Sequence, residues 1–413
     1  MTAQRVLAGP PAAGGPESLV DHERRLGARP RAEGLIPVLE ASGVLGRGGA
    51  GFPVARKWAT VAERGQGRAV VLANGAEGEP LSAKDRAIMA RRPHLVLDGA
   101  ALAAEAVGAD RIILYVGEEH VAAVAAIERA VGERAAFRGR GHDRTPIELV
   151  TAPATYIAGE ESAAVHYIDA GDARPTTVPP RPFERGVGGQ STLVQNVESL
   201  AQVALIARFG DAWYREVGTG ATRGSAVVTI GGAVSHPGVL EVAIGTTVRD
   251  VATSAGAVDG VGAVLLGGYF GGWLRAHEAW DLPLDPVILR SAGSAFGCGV
   301  VHLLPPDACG VRATARILGY MAGQSAAQCG PCVFGLRAIA DATARLASPG
   351  RADGRDLERL VRWSGQLAGR GACRHPDGAA GLLRSALRVF ADEFTRHERG
   401  RTCSQPGRTG RAA

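Results

Sequence analysis

The sequence predicts an α/β protein: a mostly parallel sheet layered with helices, then a small β-grasp module, then a helical bundle. Three observations predict it. Short apolar runs of buried-strand type, RAVVLAN (68–74), RIILYV (111–116) and IELVTA (147–152), alternate with the helical patterns LVLDGAALAAEAV (95–107) and HVAAVAAIERAV (120–131). From about residue 221 the texture changes: SAVVTIGGAVSHPGVLEVAIG reads as two strands joined by a Gly/Pro turn, TTVRDVATSAG as a short helix and GAVLLGG as a returning strand. From about residue 311 the pattern is helical, and Leu383, Leu387, Phe390 and Phe394 mark one helix face.

The remaining elements follow in order. Residues 1–30 read as a poorly ordered or loosely helical lead-in. LIPVLEASG (35–43) has helical spacing and runs into the glycine-rich GRGGAGFP (46–53), after which VARKWATVAER is helical. STLVQNVESLAQVALIARFG (191–210) reads as one helical stretch after the proline-rich PTTVPPRPF. The expected domains are 1–220, 221–300 and 301–400, with 401–413 a disordered basic tail.

Composition narrows the function classes. The chain of 413 residues is 46% hydrophobic with a mean hydropathy of +0.04, and no apolar run approaches a membrane span. Its first residues, MTAQRVLAGPPAAGGPES, lack the apolar core of a secretory signal, so a cytoplasmic protein is expected. There, six cysteines point to metal or redox chemistry rather than structural disulfides. The net charge of +5 comes from 46 basic residues spread among 41 acidic ones, with 5% aromatics, so no nucleic-acid partner is expected. Only two of the basic residues are lysine, Lys57 and Lys84, and both fall in the motifs described next.

GRGGAG matches G-x-G-x-x-G, but the segment before it is helical and Phe52-Pro53 interrupts before the next helix, so the usual dinucleotide context fails. Its four glycines in six residues still let the backbone approach a flat or phosphorylated ligand. A second loop, Asn74-Gly75-Ala76-Glu77-Gly78-Glu79-Pro80, follows a strand, where an open α/β sheet binds ligands. A third, Tyr156-Ile157-Ala158-Gly159-Glu160-Glu161, adds two carboxylates. Three such loops suggest one pocket.

GRGGAGFPxxxKW, NxxEGEPxxxKDR and YxxGEExA together resemble the flavin-pocket signatures of the NADH-oxidising subunit of respiratory complex I and its counterparts in NAD-linked hydrogenases and formate dehydrogenases. STLVQNVES (191–199) resembles that family's PTxxNNVET, and the likeness runs from about residue 40 to 395. The resemblance implies a Rossmann-like FMN-binding domain, a soluble-ligand-binding β-grasp domain and an iron–sulphur helical domain. It implies that Gly46, Arg47, Gly48 and Gly49 cradle FMN, and that Asn74, Glu77, Gly159, Glu160, Glu161 and Asn196 line its ring, ribityl chain and phosphate. Phe52 would stack on NADH, with Lys57, Glu79 and Glu161 holding NADH over the flavin. Carboxylates near the adenine ribose favour NADH over NADPH. Departures from the family pattern are Ala76 for an aspartate, Ala158 for a cysteine, Ser191 for a proline and Gln195 for an asparagine.

Cys329-Gly330-Pro331-Cys332 admits two chemistries, a thioredoxin-like dithiol or part of an iron–sulphur site. The family motif is S-C-G-x-C-x-P-C; here Ala326 stands at the first ligand position, and Cys373 follows Cys332 by 41 residues, as the fourth ligand does in the family. Cys329, Cys332 and Cys373 are therefore the expected metal ligands. Four states stay open: a 4Fe-4S cluster completed by Ser325, His375, Cys298, Cys309 or solvent, a 3Fe-4S cluster, a lost cluster, or the dithiol. Cys298 and Cys309 read as small buried apolar residues, Cys403 as a free thiol in the tail and His375 as a surface histidine.

The resemblance implies an FMN-dependent NADH dehydrogenase module that passes single electrons to a protein acceptor, a ferredoxin or another redox subunit. The competing reading is a non-catalytic scaffold that has lost flavin and cluster, motivated by Ala76 and Ala326.

Overall fold

A computed structural model describes residues 4–136, 145–219, 222–401 and 403, so the expected disordered tail lies, except for Arg401 and Cys403, outside the described residues. The chain forms two compact units. One comprises Met1–Thr229, Gly238–Thr247 and Pro283–Gly299; the other comprises Ile230–Pro237, Val248–Leu282 and Val300–Ala413.

The first unit is built on a parallel sheet of β1 (Ala69–Gly75), β2 (Ala109–Gly117), β3 (Ile147–Ala152) and β4 (Thr192–Asn196), in the order β3-β2-β1-β4. Strand β1 is almost wholly apolar because both of its faces are covered. Val71 and Ala73 enter one core cluster, and Val70 and Leu72 enter another. On the first face, helix Pro93–Val107 packs against helix Val197–Arg215. A β-carbon at Gly99 would stand 2.1 Å from the Leu200 carbonyl oxygen, so glycine permits that close approach.

Strand β4 corrects the sequence reading of residues 191–210 as one helical stretch. Thr192–Asn196 pairs in register with β1, Val70 opposite Thr192 and Asn74 opposite Asn196. The helix starts only afterwards, because Asn196 is extended and its side-chain oxygen accepts hydrogen bonds from the Glu198 and Ser199 amides.

The lead-in is also more ordered than expected. Val6 is fully buried, and the amides of Arg5, Val6 and Leu7 all donate to the Glu241 carboxylate. Helix Leu19–Leu26 brings His22 to a buried charge cluster centred on Asp98. His22 Nε2 lies 2.8 Å from Asp98 Oδ2, Arg134 donates to Oδ1 at 2.7 Å and Arg208 donates to Oδ2 at 2.5 Å.

The second sheet contains β5 (Ser225–Gly232), β6 (Gly238–Ala243), β7 (Ala263–Leu266), β8 (Gly272–Arg275) and β9 (Val300–Leu304), ordered β6-β5-β9-β7-β8. Helix Val248–Ser254 lies between β6 and β7 in sequence, which is the β-β-α-β order expected. The C-terminal helices are Gly310–Gly323, Arg337–Ala347, Asp356–Leu367, His375–Val389 and Ala391–Glu398. The apolar face read through Leu383 to Phe394 is carried by two helices that break at Phe390, and Leu383, Phe390 and Phe394 are buried. No helix among the described residues is long and apolar enough to cross a membrane.

Burial opposes ionisation of Asp98, but the guanidinium of Arg134, His22 and Arg208 together hold its pKa well below the ordinary carboxylate value. Burial likewise opposes ionisation of Glu17, yet His22 and Arg25 bring it down to about 2. For His22 burial disfavours the charged form, and Asp98 and Glu17 outweigh it and raise the pKa. The carboxylate contributions are present above about pH 4 and fall away as pH drops through the depressed folded values; that of His22 is complete below about pH 6.5 and is lost as pH rises through its raised value. Thermal denaturation should therefore show greatest stability from this cluster between those limits. Asp98→Asn should flatten the profile and cost about 3–5 kcal/mol by leaving buried cations uncompensated.

Candidate functional site

In a parallel sheet ordered β3-β2-β1-β4, the chain leaves β1 to one side and returns on the other, so the crevice beyond the carboxyl ends of β1 and β4 is the topological switch point. Asn74 and Asn196 sit side by side there. Asn74 Nδ2 donates to the Gly159 carbonyl at 2.9 Å, and its Oδ1 accepts from the Ala76 amide at 3.1 Å. Gly78 and Gly159 allow the 76–79 and 155–160 loops to touch: a β-carbon on Gly159 would lie 2.6 Å from the Ala76 carbonyl oxygen, and one on Gly78 would lie 2.8 Å from that of Tyr156.

The glycine-rich loop is closed at its base by a bridge between Leu45 and Pro53 and by the Gly46 amide donating to the Phe52 carbonyl. It is tied over the end of β4 by the Arg47 amide, which donates to Ser199 Oγ at 2.9 Å. The Arg47 side chain turns inward, 3% exposed, and donates to Tyr214 Oη and the Ser225 carbonyl. Arg47 also lines, with Gly46, Gly49, Gly51, Arg290 and Phe296, a concavity of about 360 Å³, counting space open to solvent.

Three predicted site residues act as local anchors for helices around this crevice. The Glu77 carboxylate accepts from the Asp85 and Arg86 amides, both at 3.1 Å, at the start of helix Lys84–Arg91. Glu160 accepts from the Ser162 and Ala163 amides and caps helix Glu161–Ala170, as Asn196 caps helix Val197–Arg215. Their oxygens thus neutralise helix N-termini and fix the crevice walls.

The two lysines divide. Lys57 Nζ donates to Glu161 Oε2 at 3.2 Å, and both side chains are partly exposed. Lys84 is buried between Asp85 Oδ1 at 2.7 Å and Glu198 Oε2 at 2.9 Å. Burial disfavours its charge, but these carboxylates outweigh that and raise its pKa. Burial pushes Asp85 upward, and its other oxygen accepts from Asn196 Nδ2 at 2.8 Å. A continuous polar chain thus runs from Arg47 through Glu198, Lys84 and Asp85 to Asn196 and Glu77.

Phe52 is 51% exposed, with the Arg56 guanidinium 5.9 Å from its ring centre. Glu79 accepts from Tyr156 Oη at 3.1 Å. Arg290, Phe296 and Ser199 are site residues that sequence reasoning misses; the first two lie some 240 residues beyond the glycine loop, and no motif marks them.

In the second unit, Cys329 and Cys332 are within hydrogen-bonding reach of each other, Ser325 bonds Cys332, and Cys373 acts electrostatically on Cys332. Burial, with Cys329 and Cys373 adding to it, pushes the Cys332 thiol up to about 11. Burial acts in the same sense on Cys329, but backbone hydrogen bonds at Ala372 and Cys332 overcome it and pull that thiol below its ordinary value. A π-helical turn, Pro331–Leu336, begins between the two cysteines. Ala326 is buried, and Ala327 adopts a φ of +54°. The surface histidine expected at 375 is instead buried, its Nε2 2.7 Å from the Met321 carbonyl oxygen. Cys298, expected to be buried, is only partly so, and desolvation raises its pKa well above the ordinary thiol value.

Residues 39–205 match the family model described as the Nuo51 FMN-binding domain, and residues 312–397 match the NADH-ubiquinone oxidoreductase-F iron-sulfur binding region. The chain is 32% identical over 380 residues to one of the NADH-quinone oxidoreductase F subunits of Rhizobium meliloti, covering 89% of this chain and 90% of that one. It is 32% identical over 387 residues to the corresponding F subunit of Mycobacterium tuberculosis (89% and 85%). It is 28% identical over 380 residues to HndC, a subunit of an NADP-reducing hydrogenase of Solidesulfovibrio fructosivorans (89% and 77%). Among solved structures, the H2-reduced NAD+-reducing nickel–iron hydrogenase matches with a TM-score of 0.80 at 30% identity; the match covers 91% of this chain and 63% of that longer one. Matched by both family models and by relatives over most of its length, the chain belongs to the family of NADH-quinone oxidoreductase F subunits and their hydrogenase counterparts.

Proposed function

We propose that this protein is an FMN-dependent NADH dehydrogenase module that takes a hydride from NADH and passes single electrons through an iron–sulphur centre to a protein acceptor, a ferredoxin or another redox subunit. The observation that carries the reading is the convergence of the glycine loop, the Asn74–Glu79 loop, the Gly159–Glu161 loop and Asn196 around one switch-point crevice. The donor set suits FMN: Gly46, Gly49 and Gly51 present bare backbone to the concavity, where a β-carbon on Gly46 would crowd the Phe52 carbonyl oxygen at 3.2 Å. When bound, FMN supplies hydride acceptance and one-electron release. The residues of the chain position the partners. Exposed Phe52 offers a stacking face, and the Lys57–Glu161 pair offers a cation and a carboxylate at the rim. Glu77, Glu160 and Asn196 act by holding the walls through helix capping.

The proposed division of labour is a Rossmann-like FMN and NADH domain over 1–220, a β-grasp domain over 221–300 and an iron–sulphur helical domain over 301–400, in a cytoplasmic protein. Cys329, Cys332 and Cys373 would hold the cluster, with Ser325, which hydrogen-bonds Cys332, a further candidate donor.

Anaerobically purified protein should carry one FMN per chain and reduce a ferricyanide dye with NADH; colourless protein with neither property would instead support the scaffold reading. Gly49 has a φ of +106°, so Gly49→Ala strains the loop by about 1–3 kcal/mol, and flavin affinity by fluorescence titration should fall about tenfold. Lys57→Arg should raise the KM for NADH more than Arg56→Lys does, because Lys57, like Arg181, pairs with Glu161 whereas Arg56 lies over the Phe52 ring; equal effects would remove Lys57 from the nicotinamide site. Cys373→Ala should abolish most bound iron while leaving FMN stoichiometry unchanged.

A further inference from the structure

Gly310 opens the first helix of the C-terminal bundle flush against Phe390: a β-carbon there would lie 2.3 Å from that ring. The close approach sets Cys309, the residue before the helix, beside helix Ala391–Glu398. Cys403 comes back to the same place just beyond that helix. Sequence alone suggests a free tail thiol at 403 and an apolar filler at 309; the structure gathers both around the buried His397.

His397 Nε2 lies 3.4 Å from Cys309 Sγ and 3.2 Å from Cys403 Sγ. Among the described residues, Cys309, His397 and Cys403 form the one group of three His, Cys, Asp or Glu side chains whose ligand atoms all lie within 4.8 Å of one another. Zinc bonds of about 2.3 Å to sulphur and 2.0–2.1 Å to nitrogen in a tetrahedron put sulphur and nitrogen ligands about 3.6 Å apart, close to the spacing found. The other ring nitrogen, Nδ1, is 2.8 Å from the Leu346 carbonyl oxygen. A carbonyl can only accept, so Nδ1 carries the proton and Nε2 turns its lone pair toward both sulphurs and toward the Cys403 amide, which donates to it at 3.4 Å, the tautomer that a metal-binding histidine needs. Glu393, one turn before His397, brings Oε2 to 3.5 Å from Cys403 Sγ, while the Gly310 amide donates to that oxygen at 2.8 Å.

The geometry points to a mononuclear zinc site formed by Cys309, His397 and Cys403, with Glu393 as the adjacent carboxylate, separate from the cysteine set at 329, 332 and 373. Binding replaces two thiol protons with Zn2+ and releases those protons to solvent, with no change of oxidation state. The site clips the chain after the last helix to the start of the first helix of the bundle, a structural role.

The test uses the full-length purified chain. Metal analysis should find about one zinc per chain beyond any iron. Replacement by Co2+ should give the thiolate-to-cobalt charge-transfer band and intense tetrahedral ligand-field bands. Cys403→Ser lies past the last helix, so it should keep the circular dichroism spectrum while losing at least 80% of the zinc and both cobalt signatures; Cys309→Ser should behave alike. The double variant Cys329→Ala/Cys332→Ala should keep them, which separates this site from thiols vacated by the cluster. The proposal is overturned if wild-type protein binds neither metal, if Cys403→Ser retains its zinc, if the double variant loses it, or if mass spectrometry finds Cys309 and Cys403 joined as a disulfide.

Discussion

The parallel pairing of β1 with β4 is the constraint on which the candidate flavin site depends. It sets Asn74 opposite Asn196 at the carboxyl edge, and each asparagine then organises a loop or a helix. Asn74 reaches across to Gly159, and Asn196 starts helix Val197–Arg215 while holding Asp85. The glycine loop comes before the first strand in sequence, yet Ser199, in the first turn of the helix Asn196 begins, anchors it. A slip of one residue in that pairing would reverse every side chain of β4 and scatter these anchors.

Charge burial beneath the crevice follows the same plan. Lys84 is placed between two carboxylates with Arg47 at the far side of Glu198, so the buried charges under the loops are paired with one another, while Arg47 Nε and Glu198 Oε2 lack a hydrogen-bond partner among the described residues. Arginine at 84 would bring a wider planar group to a site that fits a compact ammonium. This explains the retention of one of the chain's two lysines in structural terms, whereas Lys57 at the rim keeps its ammonium where a ligand can meet it.

Much of this is legible in the sequence, though unevenly. Buried strands such as RAVVLAN and the glycine and carboxylate loops advertise themselves through apolar runs and turn chemistry. Strand β4 does not, because TLVQN runs straight into a long apolar helix and only the cap at Asn196 divides them. The N-terminal lead-in looks loose because its order depends on a carboxylate more than two hundred residues away, Glu241, and on a histidine meeting Asp98. Long-range polar contacts of this kind leave no periodic trace. Arg290 and Phe296 escape for the same reason, as does the meeting of Cys309 with Cys403.

Ala327 has a wider meaning. Its left-handed backbone is one that glycine adopts freely and alanine adopts only under constraint, so the bend after Ala326 is imposed by its surroundings, including the Ser325 hydroxyl that accepts the Ala327 amide at 3.1 Å. The peptide therefore holds a turn at 327 that glycine would adopt without strain. Introducing a thiol at 326 together with a glycine at 327 would relieve a local misfit as well as add a donor, making this short segment a natural starting point for re-engineering the metal chemistry of the protein.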